Sequence, residues 1–164
     1  MGSFLQDLQQ PEYVHVLLNH LPLAGLFAAL LCLIAALAMR QRGVLFLGLG
    51  LVGFFALSAW PVFIFGEKAY DRAYAIADDD GDAYLAHHRK LAERWIWIYY
   101  TTAGAAALGI ATGKKWPRLL WVMSAAVAIL AAASLAAGAA IAYHGGKVRH
   151  PEFRNGPAPP VAKN

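Results

Sequence analysis

No lysine or arginine precedes Arg40, cysteine occurs once, and long stretches of the chain carry no charge at all. Each absence excludes something. The lone Cys32 rules out an internal disulfide and carries no information about redox compartment. Only three methionines are present, too few for a soft thioether route for Cu(I). There is no CxxC pair, no glycine loop to cradle phosphate and no credible nucleophile triad. Residues 1 to 20 lack the basic n-region of a secretory signal, so the first apolar segment is read as a permanent helix. A net charge of +4 confined to loops and tail is no nucleic-acid signature.

What is present is apolar. Hydrophobic residues make up 59% of the chain, against about half in soluble domains. Charge is absent from Leu21 to Met39, Val44 to Phe65, Trp95 to Gly113 and Leu119 to His144. A hydrocarbon core about 30 Å thick needs roughly 20 helical residues, and backbone in lipid must bond internally. The expected fold is therefore all-α: an integral membrane four-helix bundle spanning about 15–39, 44–65, 93–113 and 119–144, with both termini on one side. Residues 1–154 form the single domain, 66–92 an extramembrane loop, and 155–164, rich in Pro and Gly, an extended or disordered tail.

The side opposite the termini has two tight connections bearing Arg40, Arg42, Lys114, Lys115 and Arg118 and no acid, which argues that they face the cytoplasm. The first span, with Arg40 and Arg42 just after it, points the same way. This predicts a multi-pass membrane protein with extracytoplasmic termini. Small residues on three spans (Ser134, Gly138 and Ala142; Gly104 and Gly109; Gly48, Gly50 and Gly53) permit close packing, or room for a flat cofactor. No convincing internal repeat is visible. The five tryptophans lie near span ends, where they anchor.

All six histidines fall at the terminal side: His15, His20, His87, His88, His144 and His150. Imidazole ligates metals and haem iron. Each has an ordinary alternative: His15 and His20 at the headgroups, His144 against the negative end of a helix dipole, His150 in a tail. On a straight helix His15 and His20 diverge by roughly 140° and His87 and His88 by roughly 100°, so a shared site must draw on different helices. His20 and His87 are the first choice as ligands, with His150 or His15 completing the set and His88 and His144 as alternates. Glu67 and Glu93 are placed to accept a ligating histidine's free ring N–H. Asp78-Asp79-Asp80-Gly81-Asp82 suggests calcium, but with Gly81 sixth in an EF-hand loop, Ile76 and His87 would hold the end positions, and both fail. Asp82 is the expected N-cap of the third long helix.

Two stretches, His15-Val16-Leu17-Leu18-Asn19-His20-Leu21-Pro22 and Gly145-Gly146-Lys147-Val148-Arg149-His150-Pro151-Glu152, together with Gly66-Glu67 and the histidine-led third helix, resemble an uncharacterised family of small bacterial four-helix membrane proteins with LLNHxP and GGxxRHPE motifs. The resemblance implies weight on His15, His20, Glu67, His87 and His150, and not on His144. The general architecture is similar to that of membrane b-type cytochromes, which hold haem between helices by paired histidines. The side with the tight connections offers no histidine, so one haem is expected rather than two.

These features favour a membrane-embedded redox subunit that binds haem b at its extracytoplasmic end. Electrons would pass between a quinol or partner membrane subunit and a c-type cytochrome. A copper or zinc site at the bundle mouth is the second expectation, and a structural subunit without cofactor the third. At 17.7 kDa with almost no soluble part, an electron-transfer or accessory role fits better than that of a stand-alone enzyme.

Overall fold

The computed structural model describes residues 2–160, which are helical almost throughout; no strand occurs among them. Two short helices, α1 (Gly2–Asp7) and α2 (Pro11–Leu18), lead into a π-helical turn (Leu21–Gly25) and α3 (Leu26–Met39). Then come α4 (Arg42–Leu57), α5 (Ala59–Ala75), α6 (Asp79–Lys115), α7 (Pro117–Arg149) and a 3₁₀ turn (Pro151–Phe153).

Proline explains both interruptions in the first half. Pro22 has no N–H for the Leu18 carbonyl, and its ring crowds that oxygen; α2 ends at Leu18 and the chain widens into the π turn. Pro61 stands in the same relation to Leu57, where α4 ends, and Ser58 Oγ donates to the Phe55 carbonyl at 2.6 Å. Neither break reverses the chain. Pro11–Met39 and Arg42–Ala75 each run as one rod, and with Pro117–Arg149 they are the three helices long and apolar enough to cross a membrane.

The fourth expected span lies in α6, which the structure does not place with those three: its apolar part is diluted by Tyr99, Tyr100, Thr101 and Thr102, and its first half is charged. In the segment read as an extramembrane loop whose part from Asp82 begins the third long helix, helix reaches further from both sides. Residues 66–92 are helical apart from the turn at Ile76, Ala77 and Asp78, because α5 and α6 both extend to meet there. The cap of α6 is Asp78 rather than Asp82: its Oδ1 accepts from the Gly81 amide at 2.8 Å, while Asp82 lies inside the first turn.

The chain folds as two helical hairpins. In the first, α2 packs on α5 and α3 on α4; the second is α6 against α7, and the hairpins meet through α3, α4, α6 and α7. Leu26, Leu33, Leu45, Leu49, Val52, Leu120 and Val127 are fully buried between them. Phe27, Leu31, Ile34, Leu47, Phe54, Val122 and Ile129 point outward and exposed, an apolar exterior that suits lipid. Small residues do part of the predicted work. Gly48 receives Leu33, Gly109 receives Met123 and Leu49, and Gly138 gives way to the Tyr99 hydroxyl, whereas Gly50 and Gly104 face open space. Thr102 and Ser134 hydroxyls bond at 2.9 Å in the buried α6–α7 contact.

The tail is tied down at its start. Arg154 donates to the carbonyls of Lys147 and Val148 at the end of α7, at 2.8 and 2.9 Å, and to Asp78 Oδ2 at 2.8 Å. It thereby joins the end of α7 to the cap of α6. Residues 155–160 are non-helical, and Ala158 rests on the small cluster of Tyr84, Leu85 and Val148; the rest of the expected tail, 161–164, lies outside the described residues.

Candidate functional site: two histidine pairs

Each hairpin contributes one imidazole held in the same way. His15, on α2, places Nδ1 2.9 Å from the Val62 carbonyl of α5, and His88, on α6, places Nδ1 2.9 Å from the Ile141 carbonyl of α7. A carbonyl can only accept, so in both rings Nδ1 carries the proton. The neutral ring is left with a lone pair on Nε2, the form that ligates metals.

Glycine makes both bonds possible. In a helix the carbonyl of one residue points toward the residue four further on, here Gly66 after Val62 and Gly145 after Ile141. A Cβ on Gly66 would lie 3.0 Å from His15 Cε1 and Nδ1, and one on Gly145 2.9 Å from the same atoms of His88. Any larger residue would stand where the imidazole lies. The two rings face each other across the hairpins with centroids 6.4 Å apart and planes at 88°.

The second pair is His87 and His144, with centroids 4.4 Å apart and planes at 70°. His144 also stacks on Tyr84 at 6.4 Å and meets Tyr143 edge-on at 5.3 Å. Its Nδ1 is buried without a hydrogen-bond partner.

The remaining sequence-predicted residues fall elsewhere. His20 is exposed at the entrance to the π turn, outside both pairs. His150 is exposed, bonds Glu152 at 2.9 Å and stacks on Phe153. The first-choice combination of His20 with His87 is thus not the one brought together: His15 meets His88, and His87 meets His144. Glu67 and Glu93 also have a different partner. Both accept from Arg89, at 2.7 and 3.1 Å, and Arg89 lies over the Tyr70 ring at 4.8 Å. Since Arg89 follows His88 and Glu67 follows Gly66, this ion pair ties the hairpins together at the level of the imidazoles.

Burial holds the His88 imidazole below its ordinary titration range; the bond to Ile141 opposes this and the neighbouring histidines reinforce it. The ring is therefore neutral at physiological pH. Sequence reasoning missed the partnership of His144 and the role of Gly145. One signal was available: Gly66-Glu67-Lys68 and Gly145-Gly146-Lys147 recur at the ends of the two hairpins. Comparison with known proteins found no matching family model, no similar curated protein and no similar solved structure.

Proposed function

We propose that the chain is a four-helix membrane redox subunit that binds one haem b between its hairpins, with His15 and His88 as the residues that would hold it. The observation that carries this reading is the pair of matched imidazoles. With a metal–nitrogen bond of about 2 Å and a ring centre about 1.1 Å behind each nitrogen, two imidazoles sharing one ion from opposite sides would have centroids about 6.2 Å apart. The His15–His88 separation is 6.4 Å. The donor set fits as well: each ring has Nδ1 committed to a carbonyl, as metal-bound histidines usually do, which leaves Nε2 to ligate.

Bound haem supplies a one-electron couple. The protein residues do the rest: Val62 and Ile141 fix the tautomers, Gly66 and Gly145 admit the rings, and Arg89 with Glu67 holds the two helical pairs in register. The apolar exterior and the purely basic connections support an inner-membrane protein whose histidine end is extracytoplasmic. There it would exchange electrons with a quinol or a partner membrane subunit on one side and a c-type cytochrome on the other.

The test is a reduced-minus-oxidised absorption spectrum of the detergent-purified chain. A Soret and α-band pair is expected in the parent. It should be lost in both His15→Ala and His88→Ala and kept in His20→Ala and His150→Ala. A parent without bands, or bands that survive both axial substitutions, would overturn the reading.

A further inference from the structure

We infer that His87 and His144 form a second site, separate from the His15–His88 pair, that binds a divalent transition-metal ion with a preference for Cu(II). Three observations meet there. The rings lie 4.4 Å apart, closer than the other pair. The Nδ1 of His144 is buried with no hydrogen-bond partner, a state that costs free energy unless something satisfies it. The rings also come from different helices, α6 and α7, so their separation is a tertiary feature rather than a consequence of local spacing.

Imidazole nitrogen holds Cu(II) more tightly than Zn(II) in the ordinary affinity order of these ions, so copper is the expected occupant. Among the described residues no group of three His, Cys, Asp or Glu gathers to close a site. The other positions would fall to water or to an exogenous donor, giving an exchangeable site rather than a closed structural one. Lys147 is the nearby cation, and its ammonium rests on the faces of Tyr143 and Tyr84, at 4.2 and 5.4 Å.

The experiment titrates CuCl₂ alone into the purified full-length chain and follows binding by equilibrium dialysis and electron paramagnetic resonance. One tetragonal Cu(II) per chain is expected, with Zn(II) bound at least about 10-fold more weakly. His87→Gln and His144→Gln should each weaken copper by about 10-fold or more. His150→Gln and His20→Gln should leave it unchanged. Equal affinity in both pair variants, no stoichiometric copper, or a loss that follows His15 or His88 instead would overturn the inference. Two substitutions on separate helices keep the test readable if one of them fails to fold, as judged by elution profile. Haem is read by its absorption bands in the same samples, so either site can fail without the other.

Discussion

Gly66 and Gly145 hold equivalent posts: each stands four residues beyond a carbonyl that receives an imidazole from the other arm of its hairpin, and each leaves the space in which that ring lies. The relationship ties a backbone property of one helix to the chemistry of another.

Gly66→Ala and Gly145→Ala place a methyl group 3.0 and 2.9 Å from the His15 and His88 rings. Alanine is the better helix former by up to about 1 kcal/mol, but the methyl group displaces a ring bonded to a carbonyl, so thermal stability should fall in both variants. Haem affinity, measured by titration of the apoprotein, should fall by about 10- to 100-fold. Equal affinity in both variants would show that the rings do not need this space.

Burial keeps the folded His88 from accepting a proton that the unfolded chain accepts near its ordinary value of 6.5. The sign follows from proton counting. Above 6.5 both states are neutral and the site contributes no pH dependence; below it the unfolded state binds more protons, so stability falls as pH drops. Denaturation midpoints between pH 7.5 and 5 should decline more steeply in the parent apoprotein than in His88→Gln. Parallel curves would contradict this account.

Asp78 serves two partners, capping α6 through the Gly81 amide and pairing with Arg154. The Arg154 guanidinium first, and the amide second, hold its carboxyl below the ordinary 3.8. Its stabilising contribution is therefore complete above 3.8 and is lost as pH falls through the depressed folded-state value. Asp78→Asn keeps the cap and removes the ion pair, whereas Asp78→Ala removes both. Thermal midpoints at neutral pH should fall in the order parent, Asn, Ala, by about a few degrees overall, and Arg154→Gln, which also gives up the bonds to the Lys147 and Val148 carbonyls, should fall further than the Asn variant.

The Thr102–Ser134 bond is a buried contact between hydroxyls inside the α6–α7 packing. Thr102→Val leaves the Ser134 hydroxyl buried without that partner and should cost about 1 kcal/mol. Adding Ser134→Ala should recover most of the loss. A double-mutant cycle in denaturant gives the coupling directly, and a value near zero would mean the two hydroxyls act independently.

Composition made the long helices legible, since charge-free runs leave few alternatives to helix. The break at Pro22 was also visible, because a missing N–H disrupts a helix wherever it falls. The gathering of histidines at one end followed from the placement of those runs. What did not follow was the pairing. His15 and Val62 are 47 residues apart and His88 and Ile141 are 53 apart, and which ring reaches which carbonyl depends on how two rods rotate against each other. The doublet at 87–88 hid the answer further: the two rings serve different pairs, and only the fold divides them. The acids were read by proximity in sequence to histidines, yet a guanidinium outcompetes a neutral imidazole for a carboxylate, and Arg89 takes both Glu67 and Glu93. The repeated hairpin escaped notice because geometry recurs where side chains largely do not.

Helix α6 runs for 37 residues, about 55 Å at the usual rise and well beyond a bilayer's hydrocarbon thickness. His88 stands six residues above Arg94, the last charge before the apolar stretch, or about 9 Å along the axis. With the apolar stretch of α6 placed in a bilayer as proposed, the imidazoles would meet at the level of the lipid headgroups rather than in oil. On the proposed redox reading, an electron from a water-soluble donor would not need to tunnel through the membrane's depth to arrive here, and one from a lipid-dissolved carrier would have to be collected where that carrier's polar head surfaces. On that reading the chain would be a landing stage at the water's edge rather than a wire across the bilayer.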